Sequence, residues 1–363
     1  MGKINIAIAG VGSCASALLQ GIEFYKQEDV EPIGLMHYDL GGYKPGDINV
    51  VAAFDVDKRK VGKGLKEAVL AQPNCAKVFY DKLPDYPVKV QMGPVLDGVS
   101  DHMADYDKEK MFITADEDPV DVAQVLKESG ADMLVCYLPV GSEEVVRHYA
   151  QACLDAGVGF INAMPVFIAS DETWARKFEE KNIPIIGDDV KSQVGATIVH
   201  RTLTKLFENR GVILDRTYQI NFGGNTDFLN MVNQNRLATK KKSKTQAVQA
   251  ELEKPLDPHN IHIGPSDYIP WLDDNKIAYI RMEGRGFGHV PLTLELKLSV
   301  QDSPNSGGVI IDAIRCMKLA LDRKIGGVLT SISAYTMKSP PVQYTDTECK
   351  QMVEEFIAGR RER

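Results

Sequence analysis

Lysine and aspartate recur in the polar breaks between the regular elements of this chain: Asp189, Asp227, Lys240, Lys244, the run Asp273-Asp274-Asn275-Lys276, Asp302 and Lys338. An ammonium group can hold a phosphate, or stabilise an alkoxide or enolate oxygen as it forms. A lysine made neutral by burial or by neighbouring cations can carry a proton. An aspartate can hold such a lysine or ligate a hard cation. The combination suits carbonyl and enolate chemistry on a phosphorylated sugar. Its densest part is KKKSK, residues 240–244. On a helix Lys240 and Lys244, four apart, share one face. Lys241 and Lys242 read as solvated. Taken alone, the run is equally a solvated basic turn; its grouping with the other residues favours an anion site.

Several classes are excluded. With 363 residues and a net charge of −8 there is no global basic field for nucleic acid. No apolar run approaches membrane-spanning length. The opening MGKINIAIAG reads as a strand, not a signal peptide, and Ile6 fails the myristoylation pattern that Gly2 would begin. Six cysteines without a CxxC pair argue against a zinc knuckle or a redox motif. A reducing, cytoplasmic setting is the default expectation. GxSxG, HExxH and a clustered His/Cys set are absent from the sequence.

The elements that must position the lysines begin with a β-branched run over 3–9. It leads into Gly10-Val11-Gly12-Ser13-Cys14-Ala15, a GxGxxA turn that opens a helix. Gly10 permits the tight turn, Gly12 lets the backbone approach a pyrophosphate, and Ala15 allows close helix–strand packing. The helix start, at Ser13 and Cys14, offers free N–H groups to that pyrophosphate. A second apolar run, 50–54, stops at Asp55, the expected partner of a ribose. An acid there favours NAD over NADP. The Gly- and Pro-rich stretch between them reads as an insertion. Further on, the pattern predicts helices over 61–70, 119–127 (ended by Glu128-Ser129-Gly130), 142–156 and 174–181. It predicts strands over 133–137, 158–162 and 183–186. This alternation means an α/β fold, a doubly wound parallel sheet. Asp188 and Asp189 end the last strand, and Ser192 is placed to cap a helix over 193–207.

After that the periodicity changes. Residues 217–222 and 290–300 alternate, the second with Leu292, Leu294, Leu296, Leu298 and Val300 on one face. That is a half-exposed antiparallel strand, with 277–282 as its neighbour. A second, α+β domain is therefore expected over 198–305, and its apolar face is a candidate subunit interface. A helix follows the polar break 301–308 and stops at Gly326-Gly327. The C-terminal tail reads as surface helix with a fraying end.

The runs GDDVKSQVGAT (187–197), NFGGNTDFLN (221–230), KKKSKTQAV (240–248), HIGPSDY with WLDDNK (262–276), DSPNSGGVIID (302–312) and MKSPP (337–341) resemble the prokaryotic inositol-3-phosphate synthase family. The resemblance covers essentially the whole chain. It implies an NAD-binding Rossmann domain, 1–197 with 306–363, carrying an inserted catalytic and tetramerisation domain, 198–305. It also implies a redox-neutral isomerase acting on glucose 6-phosphate. Carbon 5 is oxidised, the ketone acidifies carbon 6, the enolate attacks the carbon 1 aldehyde, and the ketone is reduced again. By motif, Lys240, Lys244, Lys276, Lys338, Asp189 and Asp302 match catalytic residues, with Lys240 moving the proton at the carbon 5 hydroxyl. Gly10, Gly12, Ser13, Cys14, Asp55, Ser129, Tyr149, Ser192, Asp227 and Lys240 form the cofactor set. Homotetramers are implied, and in some prokaryotic members a divalent cation, Zn or Mg. Two other readings compete: a Rossmann dehydrogenase of the homoserine or diaminopimelate dehydrogenase type, with net NADH change, and a non-catalytic NAD-binding sensor.

Overall fold

The computed structural model describes residues 2–233 and 245–363. Its strands are β1 (Ile4–Ala9), β2 (Ile48–Asp55), β3 (Val90–Met92), β4 (Met133–Cys136), β5 (Gly159–Asn162), β6 (Pro184–Ile186), β7 (Ile213–Gly223), β8 (Ile261–Tyr268), β9 (Asn275–Arg285), β10 (Pro291–Gln301) and β11 (Gly327–Val328). Seven form a parallel sheet in the order β3-β2-β1-β4-β5-β6-β11. Up to β6 this is the Rossmann order, which reverses direction between β1 and β4.

The composition of β1 follows from burial on both faces. Ile4, Ile6 and Ile8 point to one side, against Leu18 and Leu19 of helix Ser13–Phe24 and Ile310 and Ile314 of helix Asp302–Asp322. Ala7 and Ala9 point to the other, where helix Glu143–Ala156 brings Val145, Val146 and Tyr149. The period of two assigns alternate residues to two separate cores.

The second sheet runs β10-β9-β7-β8. β9 pairs antiparallel with both β10 and β7, as the alternation predicts. β8 was not foreseen: it pairs parallel to β7, and Gly264 and Pro265 within it blur any alternation. One face of the sheet packs on helix Ala196–Asn209, with Phe207 against Leu214, Ile280 and Met282. Leu294 and Leu296 are half-buried there, while Thr293, Glu295 and Lys297 are exposed.

Several expectations need correction. The helix expected from residue 193 begins at Ala196, with Gly195 as its N-cap and no side-chain cap, so Ser192 does not cap it. The helix expected over 61–70 is the single turn Leu65–Ala68. The polar break 301–308 is the opening of helix Asp302–Asp322; Pro304 is tolerated because first-turn N–H groups have no helical partner. Gly327 does not simply end the chain's regular structure, because it starts β11 beside β6. The C-terminal helix Asp346–Ile357 is not a surface tail: a Thr345/Glu348 capping box starts it, and Cys349, Met352, Val353 and Phe356 are buried. Among the described residues no helix is long and apolar enough to cross a membrane.

Candidate active site

A cavity opens at the carboxyl ends of the parallel strands, where open α/β sheets bind ligands. Gly10, Gly12, Ser13 and Cys14 form one wall and Asp55 another; Asp189, Asp227, Lys276, Asp302 and Lys338 lie along it. Gly10 has φ +90, and a Cβ there would stand 2.4 Å from the Tyr137 carbonyl oxygen, so no side chain fits. Gly12 is the N-cap of the twelve-residue helix Ser13–Phe24, which leaves its first N–H groups free for an anion.

The loop is clamped at Val11. Its N–H donates to Asp55 Oδ2 at 2.8 Å, and its carbonyl accepts from Lys60 Nζ at 2.8 Å and Asn74 Nδ2 at 3.0 Å. Lys60 is 1% exposed and lies 4.0 Å from Asp55. Burial lowers its pKa, against the raising effect of Asp55 and Asp57. Residues 57–60, Asp-Lys-Arg-Lys, carry no motif in the sequence that marks Lys60 as a loop anchor.

At the other end two ion pairs face the cavity. Lys276 Nζ lies 3.0 Å from Asp302 Oδ1, and Lys338 Nζ lies 2.8 Å from Asp189 Oδ1. For Lys276, burial pulls the pKa down, but Asp302, Asp227 and Asp189 outweigh it and the net shift is upward. Lys276 is therefore a cation at neutral pH. Lys338 arrives from the far end of the chain because its loop pairs with the end of β6. Its N–H donates to Asp189 O at 2.6 Å, and Ser339 and Asp188 exchange backbone bonds of 2.9 and 3.1 Å. Asp189 holds a left-handed φ of 64 in that turn.

Asp188 does something else. Fully buried, it accepts from Asn162 Nδ2, from the N–H groups of Ile168, Ala169 and Ser170, and from Ser170 Oγ. It fixes the loop after β5. Asp227 lies in helix Thr226–Met231, capped by Asn225, whose Oδ1 accepts from Phe228 N. Asp227 Oδ1 accepts from Val140 N at 3.3 Å. Burial pushes the Cys14 thiol up to about 12, with Asp274 and Asp302 adding to it, so Cys14 is no thiolate nucleophile.

An inositol-3-phosphate synthase of Mycolicibacterium smegmatis is 56% identical to this chain over 364 residues, covering 99% of each. The chain belongs to the inositol-3-phosphate synthase family. An inositol-3-phosphate synthase of Corynebacterium glutamicum is 54% identical over 364 residues, 98% of each. The sequence profile of the family, myo-inositol-1-phosphate synthase, matches residues 195–303, the stretch that carries Asp227, Lys276 and Asp302. A solved myo-inositol-1-phosphate synthase-related protein of Thermotoga maritima has the same fold, with a TM-score of 0.81 at 24% identity, covering 99% of this chain and 100% of that one.

Of the residues expected from the inositol-3-phosphate synthase resemblance, the structure brings Tyr149 and Ser192 into the same cavity as the glycine turn, Asp55 and the Lys–Asp pairs. Ser129 is the exception. It ends helix Val122–Ser129, its hydroxyl donates back to Leu126 O, and the next residue, Gly130, accepts from Asn5 near the start of β1. That is the amino edge of the parallel sheet, opposite the ligand end, so Ser129 does not reach the cofactor site. Lys240 and Lys244, with the helical face they were expected to share, lie outside the described residues. Asp274 was noted in the sequence only as part of the run Asp273-Asp274-Asn275-Lys276, and neither it nor Asn225 was given a role of its own. Asn225 had a visible signal, an Asn directly before a helix start.

The residues present fit NAD: a cradle that a Cβ would fill, a free helix N-terminus, and a carboxylate at the end of β2. They do not fit a cation in the same way. Among the described residues no group of three His, Cys, Asp or Glu side chains converges on a metal position.

Proposed function

We propose that this member of the family converts glucose 6-phosphate to inositol 3-phosphate with NAD bound at the glycine turn. The observation that carries the reading is the convergence of two Lys–Asp pairs, Lys276–Asp302 and Lys338–Asp189, on the cavity that holds that turn. When bound, NAD supplies a hydride acceptor that is restored within each turnover. The chain's own residues do the rest. Lys276, kept cationic by Asp302, neutralises charge on the substrate oxygen as alkoxide or enolate forms. Lys338, aimed by Asp189, holds the phosphate or a second reacting oxygen. Lys240 and Lys244 belong to this proposal through the family motif alone. So do a homotetramer built through the second sheet and a cytoplasmic setting. Leu292, exposed, and Leu298, half-buried, lie on β10 outside the cluster packed on helix Ala196–Asn209 and support the assembly.

The test incubates the purified protein with glucose 6-phosphate and a catalytic amount of NAD. Inositol phosphate without net NADH is the expected result. A net absorbance change at stoichiometric NAD, or no product with or without added Mg or Zn, overturns the reading. Light scattering of the purified protein checks the tetramer; a monomer at micromolar concentration removes it.

A further inference from the structure

We propose that Asp274 is a positioning residue of this site: from behind the cavity wall its carboxylate fixes Asn225 and Ser303, and so sets where Asp227, Lys276 and Asp302 stand relative to one another. Asp274 is 1% exposed, while Asn225, Asp227, Lys276, Asp302 and Ser303 all line the cavity. Its Oδ1 accepts from Ser303 Oγ at 2.8 Å and Asn225 Nδ2 at 3.2 Å, and its Oδ2 accepts from Ser303 N at 3.0 Å. Its backbone carbonyl accepts from Asp302 N at 2.9 Å. Two residues further on, Lys276 reaches Asp302. On the other side Asn225 uses its remaining oxygen to cap the helix that carries Asp227. Three segments distant in sequence, 225–231, 273–276 and 302–306, thus meet at one carboxylate. The glycine turn touches the same point, with Cys14 Sγ at 3.9 Å from Ser303 Oγ.

The chemistry requires an ionised acid there. Three donors converge on Asp274, and only a carboxylate offers acceptors on both oxygens. An amide would turn its NH2 against one of those donors, and an apolar group would leave all three unmade in a buried place. The arrangement runs against electrostatics: burial and the negative charge of Asp302 push the Asp274 carboxyl up to about 6. Simple capping of helix Asp302–Asp322 does not need a second link to Asn225, a residue of another element. Holding both segments at once does.

The inference rests on the proposed reaction for its assay, but its second readout is independent of activity. In Asp274→Asn, kcat is expected to fall by about thirtyfold, the loss expected for reacting groups misplaced by a fraction of an ångström. The dissociation constant for NAD, read by fluorescence, is expected to stay within about threefold, because the glycine turn keeps its own clamp at Val11 through Asp55, Lys60 and Asn74. Ser303→Ala, which keeps the N–H bond and loses only the hydroxyl, is expected to give a smaller loss of roughly fivefold, and it carries the test if Asp274→Asn does not fold. A purely structural role would instead lower the melting temperature and leave kcat of the folded enzyme unchanged. The second readout is a crystal structure of either variant, in which the Lys276–Asp302 pair is expected to be opened. Unchanged kcat, a parallel loss of NAD affinity, or a pair still in place overturns the inference. A wild-type protein that makes no product overturns the functional reading, and the crystal structure then decides on Asp274 alone.

Discussion

The ring of His200 is buried between helix Ala196–Asn209 and β7, with Nε2 at 2.8 Å from Thr217 Oγ1 and Nδ1 at 3.2 Å from Gln219 Oε1. Burial pushes its pKa down from 6.5 to about 4, against a small opposing effect of the Gln219 bond. The folded protein therefore holds His200 neutral over a range in which the unfolded chain protonates it. Between about pH 6.5 and 4 the unfolded state binds more protons, so stability falls as pH falls through that window and is fully retained above it. The gap is worth on the order of 3 kcal/mol at pH below 4, and about 2 kcal/mol at pH 5. Three buried carboxyls act in the opposite sense. Burial raises Asp188, Asp274 and Asp312 each to about 6, so each contributes stability below its unfolded pKa that is lost as pH rises through 6. The total pH curve mixes both signs. The informative quantity is the stability difference between wild type and His200→Gln, measured by urea unfolding in steps from pH 7.5 to 5. That difference is expected to shrink by about 2 kcal/mol on acidification, because only the wild type loses the histidine contribution. A difference that does not change with pH refutes the argument that His200 is buried in its neutral form.

Other outcomes are expected from the same structure. Gly10→Ala places a methyl against the Tyr137 carbonyl at positive φ, and is expected to cost about 2–4 kcal/mol of stability in thermal unfolding, together with NAD affinity. In Gly12→Ala the added carbon meets nothing within 4 Å, so melting should hold while calorimetry shows NAD binding weakened by roughly tenfold or more, because the methyl occupies the pyrophosphate's approach. Asp188→Ala removes the acceptor of five donors, three of those bonds buried and two half-buried, and is expected to lower unfolding stability by about 3 kcal/mol in denaturant titration. Ser129→Ala, at the amino edge of the sheet, should leave NAD affinity within about twofold and stability within roughly 0.5 kcal/mol.

Much of the Rossmann half was legible because its signals are local. The β1 run, the GxGxxA turn, the acid at the end of β2, and the apolar strands at 133, 159 and 184 each carry their period or their glycine within ten residues. That β9 lies beside β10 was legible from the alternation of 290–300, with 277–282 as its neighbour, but the eleven-residue register was not. What escaped lacks such a signal. β8 contains Gly264 and Pro265 and is a strand only because β7 lies beside it. β11 is two residues long and is held by β6. Ser129 looked like a cofactor contact by motif, yet whether a helix end faces the ligand depends on which edge of the sheet it reaches.

Residue type and spacing by themselves pointed to a dinucleotide at residues 10–15 and to lysines and aspartates set against oxygen-centred charge. Both follow from local chemistry: a glycine turn before a helix, and cations in polar breaks. Only the tertiary structure decided which of those charges work together. Lys276 meets Asp302 because β9 and β10 run antiparallel into the start of a helix, and Lys338 meets Asp189 because a C-terminal loop returns to the end of β6. It also decided that Asp188 and Asp189, adjacent in sequence, serve different purposes, one holding a loop and the other a lysine. A pairing across more than a hundred residues, as of Lys338 with Asp189, is set by sheet order and packing, which no window of sequence contains.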